Sequence, residues 1–381
     1  MDKKTNNWQI KKLGEVCSIQ TGKYDANHAN SNGKYRFYTC AFDYLYCDTN
    51  RFKGQSIILP GNGANVGEVF YYNGDFDAYQ RTYVLNEIKT DAKYLFYHLL
   101  GNWKNRNKDK QFGSATNYIR MANFTDYEIP IPPLETQHAI VSKIEELFSE
   151  LDKGIAELKT AQQQLKTYRQ SVLKSAFEGK ERVLFENIIE SSQNGLSKRS
   201  GSDGEDLNVL RLADIKNNCI VLDNPRKIKM TSSEIIKYKL NEEDLVCIRV
   251  NGSKDLVGKI IYVTKNDIKN KLAFCDHFIR FTIKENINSK FIYYYFQTME
   301  VRKFIHDNMV TSAGQNTVSQ VTIKNILVPD CNIEEQHRIV QEIESRLSVA
   351  DKMEQSIQES LQKAEALRQS ILKKAFCGEL V

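Results

Sequence analysis

From Leu134 onward, apolar residues recur at helical spacing for over forty residues. Ile140, Ile144, Leu147, Leu151, Ile155, Leu158, Leu165, Tyr168, Val172 and Ala176 fall on one stripe. The pattern returns near the C-terminus as Ile339, Ile343, Leu347, Ala350, Met353, Ile357, Leu361, Ala364, Leu367, Ile371 and Ala375. The spacing predicts two long amphipathic helices. Gly179 stands where a C-terminal glycine cap belongs, and Asn332 with Glu335 has the form of a capping box. The helices are copies of each other: laid together without a gap, Gln137–Lys180 and Gln336–Glu379 agree at 18 of 44 positions. Both open Gln-His-x-Ile-Val and close Arg-Gln-Ser-(Val/Ile)-Leu-Lys-x-Ala-Phe-x-Gly.

The repeat divides the chain into residues 1–133, 134–180, 181–333 and 334–381. The first globular segment reads as strand-rich. Trp8–Val16 suggests an entry strand or turn leading to a short helix, and alternation over Tyr35–Tyr46 suggests a strand pair. Ser56–Leu59 is a short buried strand, Gly61–Gly67 a turn, and Glu68–Tyr72 a strand that Asn73-Gly74 should fold into a hairpin. Tyr94–Trp103 has helical spacing, Phe112–Arg120 is loop-like, and Pro130–Pro133 ends the segment. The second segment repeats this plan. Asp244–Val250 parallels the Ile57 strand, Asn251–Gly258 the glycine turn, Lys259–Val263 the strand after it, and Phe291–Phe304 the Tyr94 helix. Ser312–Val318 parallels Gly113–Ile119.

Each helical copy is about 63 Å long at 1.5 Å per residue, too long for its stripe to be buried by one small globule. Two such stripes most simply bury each other as an antiparallel coiled-coil pair with an internal pseudo-twofold axis. Charge sharpens the division. Residues 1–133 hold 17 Lys and Arg against 13 Asp and Glu, and residues 181–333 hold 22 against 19. The helices are balanced (7 against 7) and slightly acidic (7 against 9). A basic surplus confined to the globules fits a polyanion there and protein partners along the helices. The eight cysteines form no C-x-x-C pair and have no zinc spacing, which predicts reduced, mostly buried thiols in a cytoplasmic protein. No stretch has the apolar length of a membrane span.

The sequence offers little catalytic chemistry. Gly61-x-Gly63-x-x-x-Gly67 misplaces the third glycine of a dinucleotide motif and leads into a strand. Gly252–Lys259 is a residue too long for a P-loop, and Ile260 stands where Ser or Thr is needed. Neither an amino-methyltransferase Asn-Pro-Pro-aromatic run nor a nuclease carboxylate cluster is evident. His138 and His337, at matched positions, read as structural or capping groups. No catalytic residue and no metal ligand is assigned. The loops instead carry side chains suited to base edges, since Arg and Lys bond guanine and Asn and Gln bond adenine. In the first segment these are Lys23, Asn62, Asn65, Gln80, Arg81, Thr116, Asn117 and Arg120. In the second they are Lys198, Arg199, Arg211, Asn251, Ser253, Lys254, His277, Arg280, Gln315 and Asn316. Two related basic domains held at a fixed separation suit a two-part duplex DNA site.

The carrying residues Ile129–Gln137, Val328–Gln336, Arg169–Phe177 and Arg368–Phe376, with Val209–Ile215 and Ser312–Asn316, give the chain a resemblance over essentially its whole length. It resembles the specificity subunits of type I restriction–modification systems. The second copy departs at Cys331-Asn332, where the first has Pro132-Pro133. The resemblance implies an α+β chain: two mixed α/β target-recognition domains separated by two long antiparallel coiled-coil helices, pseudo-twofold. Each domain would read one half of a bipartite double-stranded DNA site, and the helices would set the spacer. Partners would be two modification (methyltransferase) subunits, carrying S-adenosylmethionine and methylating adenine, and restriction (motor-nuclease) subunits using ATP and magnesium. This chain would hold no cofactor and would not itself be an enzyme. Two alternatives stand beside this: the recognition subunit of a type II-like fused nuclease-methylase, and a stand-alone DNA-binding or coiled-coil scaffold protein.

Overall fold

The computed structural model describes residues 8–108, 111–112, 117–269 and 271–381. The two helices run from Leu134 to Phe177 and from Ile333 to Phe376. Gly179 and Gly378 follow them at φ +72° and +74°, the left-handed cap for which glycine is favoured. Asn332 Oδ1 accepts the Glu335 N–H at 2.8 Å, so half of the expected capping box forms; the Glu335 carboxylate goes to Lys180 instead.

The chain forms two compact units, residues 1–160 with 357–381 and residues 161–356. In the first, Ile140, Val141, Ile144 and Phe148 share a core with Ile371, Leu372 and Ala375. In the second, Val172, Leu173 and Phe177 share a core with Ile339, Val340 and Ile343. In each unit the early part of one helix meets the late part of the other, the antiparallel pairing expected. Buried positions on the second helix step by seven: Ile343, Ala350, Ile357, Ala364 and Ile371. This is a coiled-coil seam rather than a broad 3.6-residue face. Tyr168, Met353 and Leu367, expected on the stripes, therefore fall outside the narrower seam and are exposed.

Each unit carries the same α/β plan. In the first, strands Ser18–Thr21, Thr82–Asn86, Gln55–Pro60 and Phe70–Asn73 form an antiparallel sheet in that order. A second sheet orders Leu45–Cys47, Tyr35–Tyr38 and Phe76–Ala78, the last pair parallel. In the second unit the corresponding sheets are Ile189–Asn194, Phe278–Ile283, Leu245–Ile248 and Ile260–Tyr262, and Arg226–Met230, Glu205–Leu210 and Leu272–Phe274, the last pair again parallel. A two-stranded ribbon closes each domain, Gln9–Lys12 with Glu128–Ile131 and Glu181–Leu184 with Leu327–Asp330.

Two local expectations are corrected. Asn73-Gly74 does not turn a hairpin: Phe70–Asn73 pairs with Gln55–Pro60, whereas Phe76–Ala78 crosses to the other sheet and pairs with Tyr35–Tyr38. The Phe291–Phe304 helix is broken into Ser289–Tyr295 and Met299–Asn308, where the first domain has the single helix Ala92–Asn107. Thr298 causes the break. Its hydroxyl donates to the Tyr295 carbonyl at 2.8 Å and caps the next helix by accepting from Val301 N–H.

The duplicated Gln-His opening has a structural role carried by the glutamine. Gln137 Oε1 accepts the Asp91 N–H at 3.0 Å while its amide donates to Pro132 O at 2.8 Å. Gln336 does the same with Asn288 N–H at 2.8 Å and Cys331 O at 2.7 Å. Asp91 and Asn288 are themselves the N-caps of the domain helices Ala92–Asn107 and Ser289–Tyr295. Both glutamines are buried, so each amide joins the start of a long helix to the start of a domain helix. The neighbouring histidines are exposed. His337 Nδ1 lies 2.8 Å from Ile333 O, and His138 Nε2 lies 3.5 Å from Asp91. Ion pairs repeat as well: Lys93 with Glu145 at 2.7 Å and Lys290 with Glu344 at 2.8 Å. Arg169 pairs with Asp351 at 2.6 Å, and its counterpart Arg368 pairs with Asp152.

We predict that Gln336→Ala lowers the stability of the second unit by about 1–3 kcal/mol, because two half-buried backbone groups lose their partner. Faster hydrogen exchange at the Asn288 amide is the signature; unchanged exchange there would remove the latch role. His98 gives a second expectation. It is buried edge-on to Phe376 and Tyr127, with Nδ1 3.2 Å from the Tyr127 hydroxyl. Burial lowers its pKa to about 4, so the folded state favours the neutral ring. The unfolded chain then binds the extra proton as pH falls from about 6.5 to 4, and stability drops across that window by on the order of 3 kcal/mol. Both tryptophans, Trp8 and Trp103, lie in this unit, so tryptophan fluorescence can follow its unfolding. A His98→Phe variant should flatten the wild-type loss between pH 6.5 and 4; parallel curves would sink the assignment.

Candidate nucleic-acid interface

The first domain gathers several of the expected loop residues into one cleft of about 370 Å³, lined by Asn62, Gln80, Arg81 and Tyr118 among others. The glycine turn builds its floor. Gly61 N–H donates to Arg81 O at 2.9 Å, and a Cβ on Gly61 would stand 2.1 Å from that oxygen. Gly63, at φ +88°, donates to Asn117 O at 2.8 Å. These glycines thus permit close backbone packing within the domain. The Tyr24 carbonyl accepts the Gln80 N–H at 2.9 Å, and Lys23 precedes Tyr24 in the chain. Arg120 donates to the Tyr118 hydroxyl at 2.7 Å and lies over the Phe112 ring at 4.5 Å. Lys23, Gln80, Arg81, Asn117 and Arg120 are exposed, and Asn62 is half-buried. Asn65 is half-buried, and its amide donates to Cys40 O at 2.9 Å. Thr116 lies outside the described residues.

The second domain builds the same loop junction with different side chains. Arg249 N–H donates to His277 O at 2.7 Å, the bond that Gly61 makes to Arg81. Val250 and Asn251 pair with Thr317 and Asn316, as Asn62 bridges Tyr118. His277 therefore occupies the position of Arg81, and Arg249 that of Gly61. Sequence reading missed Arg249: it set Asn251 opposite Gly61, whereas the matching backbone hydrogen bonds put Arg249 there. Ser253, Lys254 and Gln315 are exposed around this junction.

Several expected base readers are already engaged in holding the fold. The Arg211 guanidinium makes two bonds to buried Asp214, at 2.9 and 3.0 Å, and one to Asn224 O at 2.6 Å. Arg280 is buried, donating to Lys239 O at 2.7 Å. Asn316 is buried and its amide donates to Gly252 O at 2.9 Å. Lys198 is paired with Glu234 at 2.6 Å and Arg199 with Asp276 at 3.3 Å. The placement of Arg280 and Asn316 inside the domain corrects the expectation of surface loops at those positions.

Among the described residues, one group brings metal-ligating atoms together: Cys275, Asp276 and His277, within 4.8 Å. Arg199 already neutralises Asp276, and burial raises the Cys275 thiol pKa, which keeps the sulfur protonated. The trio is a poor ligand set. Burial likewise pushes Cys17 and Cys247 up to about 12, as expected of inert core thiols. Cys219 and Cys377, by contrast, are exposed. No helix among the described residues is long and apolar enough to cross a membrane.

A duplicated α/β domain, each copy followed by a matching helix of equal length and each presenting polar loops at one junction, defines a tandem recognition protein. The chain belongs to the type I restriction modification DNA specificity domain family, whose model matches residues 5–160 and 187–363. It is 38% identical to the type I restriction enzyme StySPI specificity subunit of Salmonella potsdam over 73% of its own length. That match spans 63% of the relative. It is 29% identical to the EcoDI specificity subunit of Escherichia coli, over 98% of this chain and 88% of the relative. The fold is shared with a chain from a study of complex assembly in a type I R-M system, at TM-score 0.75 and 16% identity over the full length of both. It is shared too with the HsdS subunit of Thermoanaerobacter tengcongensis, at TM-score 0.53 and 16% identity over 98% of this chain and 97% of that one.

The two classes of arginine separate experimentally. We predict that Arg81→Ala leaves thermal stability unchanged and weakens duplex binding by about 1–3 kcal/mol. Arg211→Ala should instead lower the melting temperature, because buried Asp214 loses its bidentate partner. Equal effects of the two changes on both measurements would refute the division.

Proposed function

We propose that this chain is the DNA-specificity subunit of a type I restriction–modification complex and is itself non-catalytic. Each domain reads one half of a bipartite duplex site, the first through the cleft at Gln80 and Arg81 and the second through the loops around Asn251, His277 and Gln315. The paired helices set the spacing of the half-sites and offer docking surface to two modification subunits. Those subunits bring S-adenosylmethionine and methylate adenine, and restriction subunits bring the ATP- and magnesium-dependent cleavage. The complex works in the cytoplasm.

The observation that carries this reading is that the scaffold is duplicated while the loop chemistry is not. The sheet orders, the glutamine latches and the helix ion pairs all recur. Arg81 and His277 then occupy equivalent sites with different hydrogen-bonding capacity. Equal frames with unequal readers suit an asymmetric, two-part target on a duplex whose own backbone is twofold symmetric. Family membership supports the same reading.

Methylation-aware sequencing of a host expressing this chain with its modification subunit tests it. The expected result is adenine methylation in a split motif with half-sites about one helical turn apart. A single continuous motif, or no new methylation, would overturn the reading.

A further inference from the structure

The first domain exposes a run that a soluble surface ordinarily avoids. All six residues from Ala41 to Tyr46 are exposed, and five of them are apolar or aromatic. Phe42 is 68% exposed and rests edge-on against Phe70 with ring centroids 5.6 Å apart. Behind it the ridge is stiff. The Arg36 guanidinium lies 4.2 Å from the Tyr44 ring and 4.4 Å from the Tyr72 ring, and donates to the Tyr38 hydroxyl at 3.3 Å. Tyr46 packs on Tyr44 at 5.6 Å. Such stacking holds the aromatic groups in place without burying them.

The ridge abuts the recognition cleft. Cys40 Sγ lies 3.4 Å from Arg81 O and 3.6 Å from the Thr82 hydroxyl, and Cys40 O accepts the Asn65 amide. Phe42 follows two residues later. Among the described residues, the equivalent stretch of the second domain, 211–222, exposes no aromatic side chain. Tyr38 O accepts from Tyr79 N–H as Leu210 O accepts from Cys275 N–H, which aligns the ends of the two strands. After Leu210 the chain runs instead through Arg211, Asp214 and the small hairpin Ile215–Ile220, with Lys216, Asn217 and Asn218 toward its turn. A surface for subunits that dock on both repeats should itself be repeated. One present in a single domain fits the half of the target unique to that domain.

We propose that Phe42, resting on Phe70 and two residues beyond Cys40, whose thiol reaches Arg81 O, is a specificity-determining residue that packs on a thymine methyl group. This thymine lies in the half-site read by the first domain. The inference rests on the function proposed above. In the major groove the thymine methyl is the one apolar feature of a base edge, and an exposed phenyl ring on a segment that adjoins polar base readers through Cys40 is suited to it.

The test uses the complex of this chain with its modification subunits and duplexes in which deoxyuridine replaces each half-site thymine in turn. One replacement should lower wild-type affinity about fourfold, the worth of one buried methyl group. Phe42→Ala should lose a similar factor on the natural site and become indifferent to that replacement, with tryptophan-monitored melting unchanged. Phe42→Leu should keep most of the methyl dependence. A split motif with every uracil replacement silent overturns this proposal and leaves the proposed function standing. A half-site made only of G·C pairs does the same. Loss of modification-subunit copurification in Phe42→Ala would mark the ridge as a protein-docking surface and also overturn it. Absence of any split motif removes both readings together.

Discussion

The structure depends on a polar contact that cannot be left unmade. At the start of each long helix a buried glutamine side chain accepts one backbone hydrogen and donates to one backbone oxygen. An unsatisfied amide in that position costs more than an ordinary hydrogen bond contributes, so geometries that break either contact are disfavoured. Because the accepted hydrogen belongs to the N-cap of a domain helix, the bond fixes the phase at which the long helix leaves its domain. Apolar packing is non-directional and would tolerate some rotation. The latch supplies direction, and the ion pairs Lys93–Glu145 and Lys290–Glu344 lie further along the same contact.

Around this contact the division of labour is thermodynamic. Strands, ribbons and helix seams have their backbone groups paired and their side chains in contiguous cores. The loops carry few apolar contacts and many exposed polar groups, so their sequence can change at little cost to the fold. That is why the two domains keep the same sheet order while Gly61 becomes Arg249 and Arg81 becomes His277. Gly61 cannot be exchanged casually in its own setting, since a side chain there would strike Arg81 O. Each loop set is therefore coherent within its domain, although the frame beneath is common.

Much of this frame was legible in the sequence. An 18-in-44 repeat at fixed offset, glycine caps and periodic apolar positions are local signals, and each corresponds to a structural element. What escaped was set by contacts remote in sequence. Asn73-Gly74 has hairpin chemistry, but the strand after it finds its partner at Tyr35–Tyr38, and no local pattern announces a change of sheet. The broken helix at Thr298 followed from a cap that competes with helix continuation, an option open to any threonine within an apolar run. The exposure of Tyr168, Met353 and Leu367 reflects the difference between a seven-residue seam and a 3.6-residue stripe, which grows with helix length.

The recognition residues were legible as a set and not as individuals, for a reason that applies to any loop rich in arginine and asparagine. Residue type establishes what a side chain can bond, but each donor can be committed only once. Arg211 is committed to Asp214, three residues away and spaced for a local turn. Arg280 lies on a strand whose neighbours Phe278, Ile279 and Phe281 are all fully buried, so its own burial follows from tertiary packing. Asn316 bonds across to the Asn251–Gly252 backbone, which cannot be inferred before the loops are brought together. Subtracting such committed groups leaves side chains aimed at solvent, Gln80 and Arg81 among them. It also draws in a group that a polar inventory passes over: an exposed phenylalanine makes no hydrogen bond, yet in a groove edged with base atoms it can distinguish thymine by its methyl group. Specificity in such a domain is thus divided between hydrogen-bonding groups that remain uncommitted and apolar groups that the fold leaves uncovered.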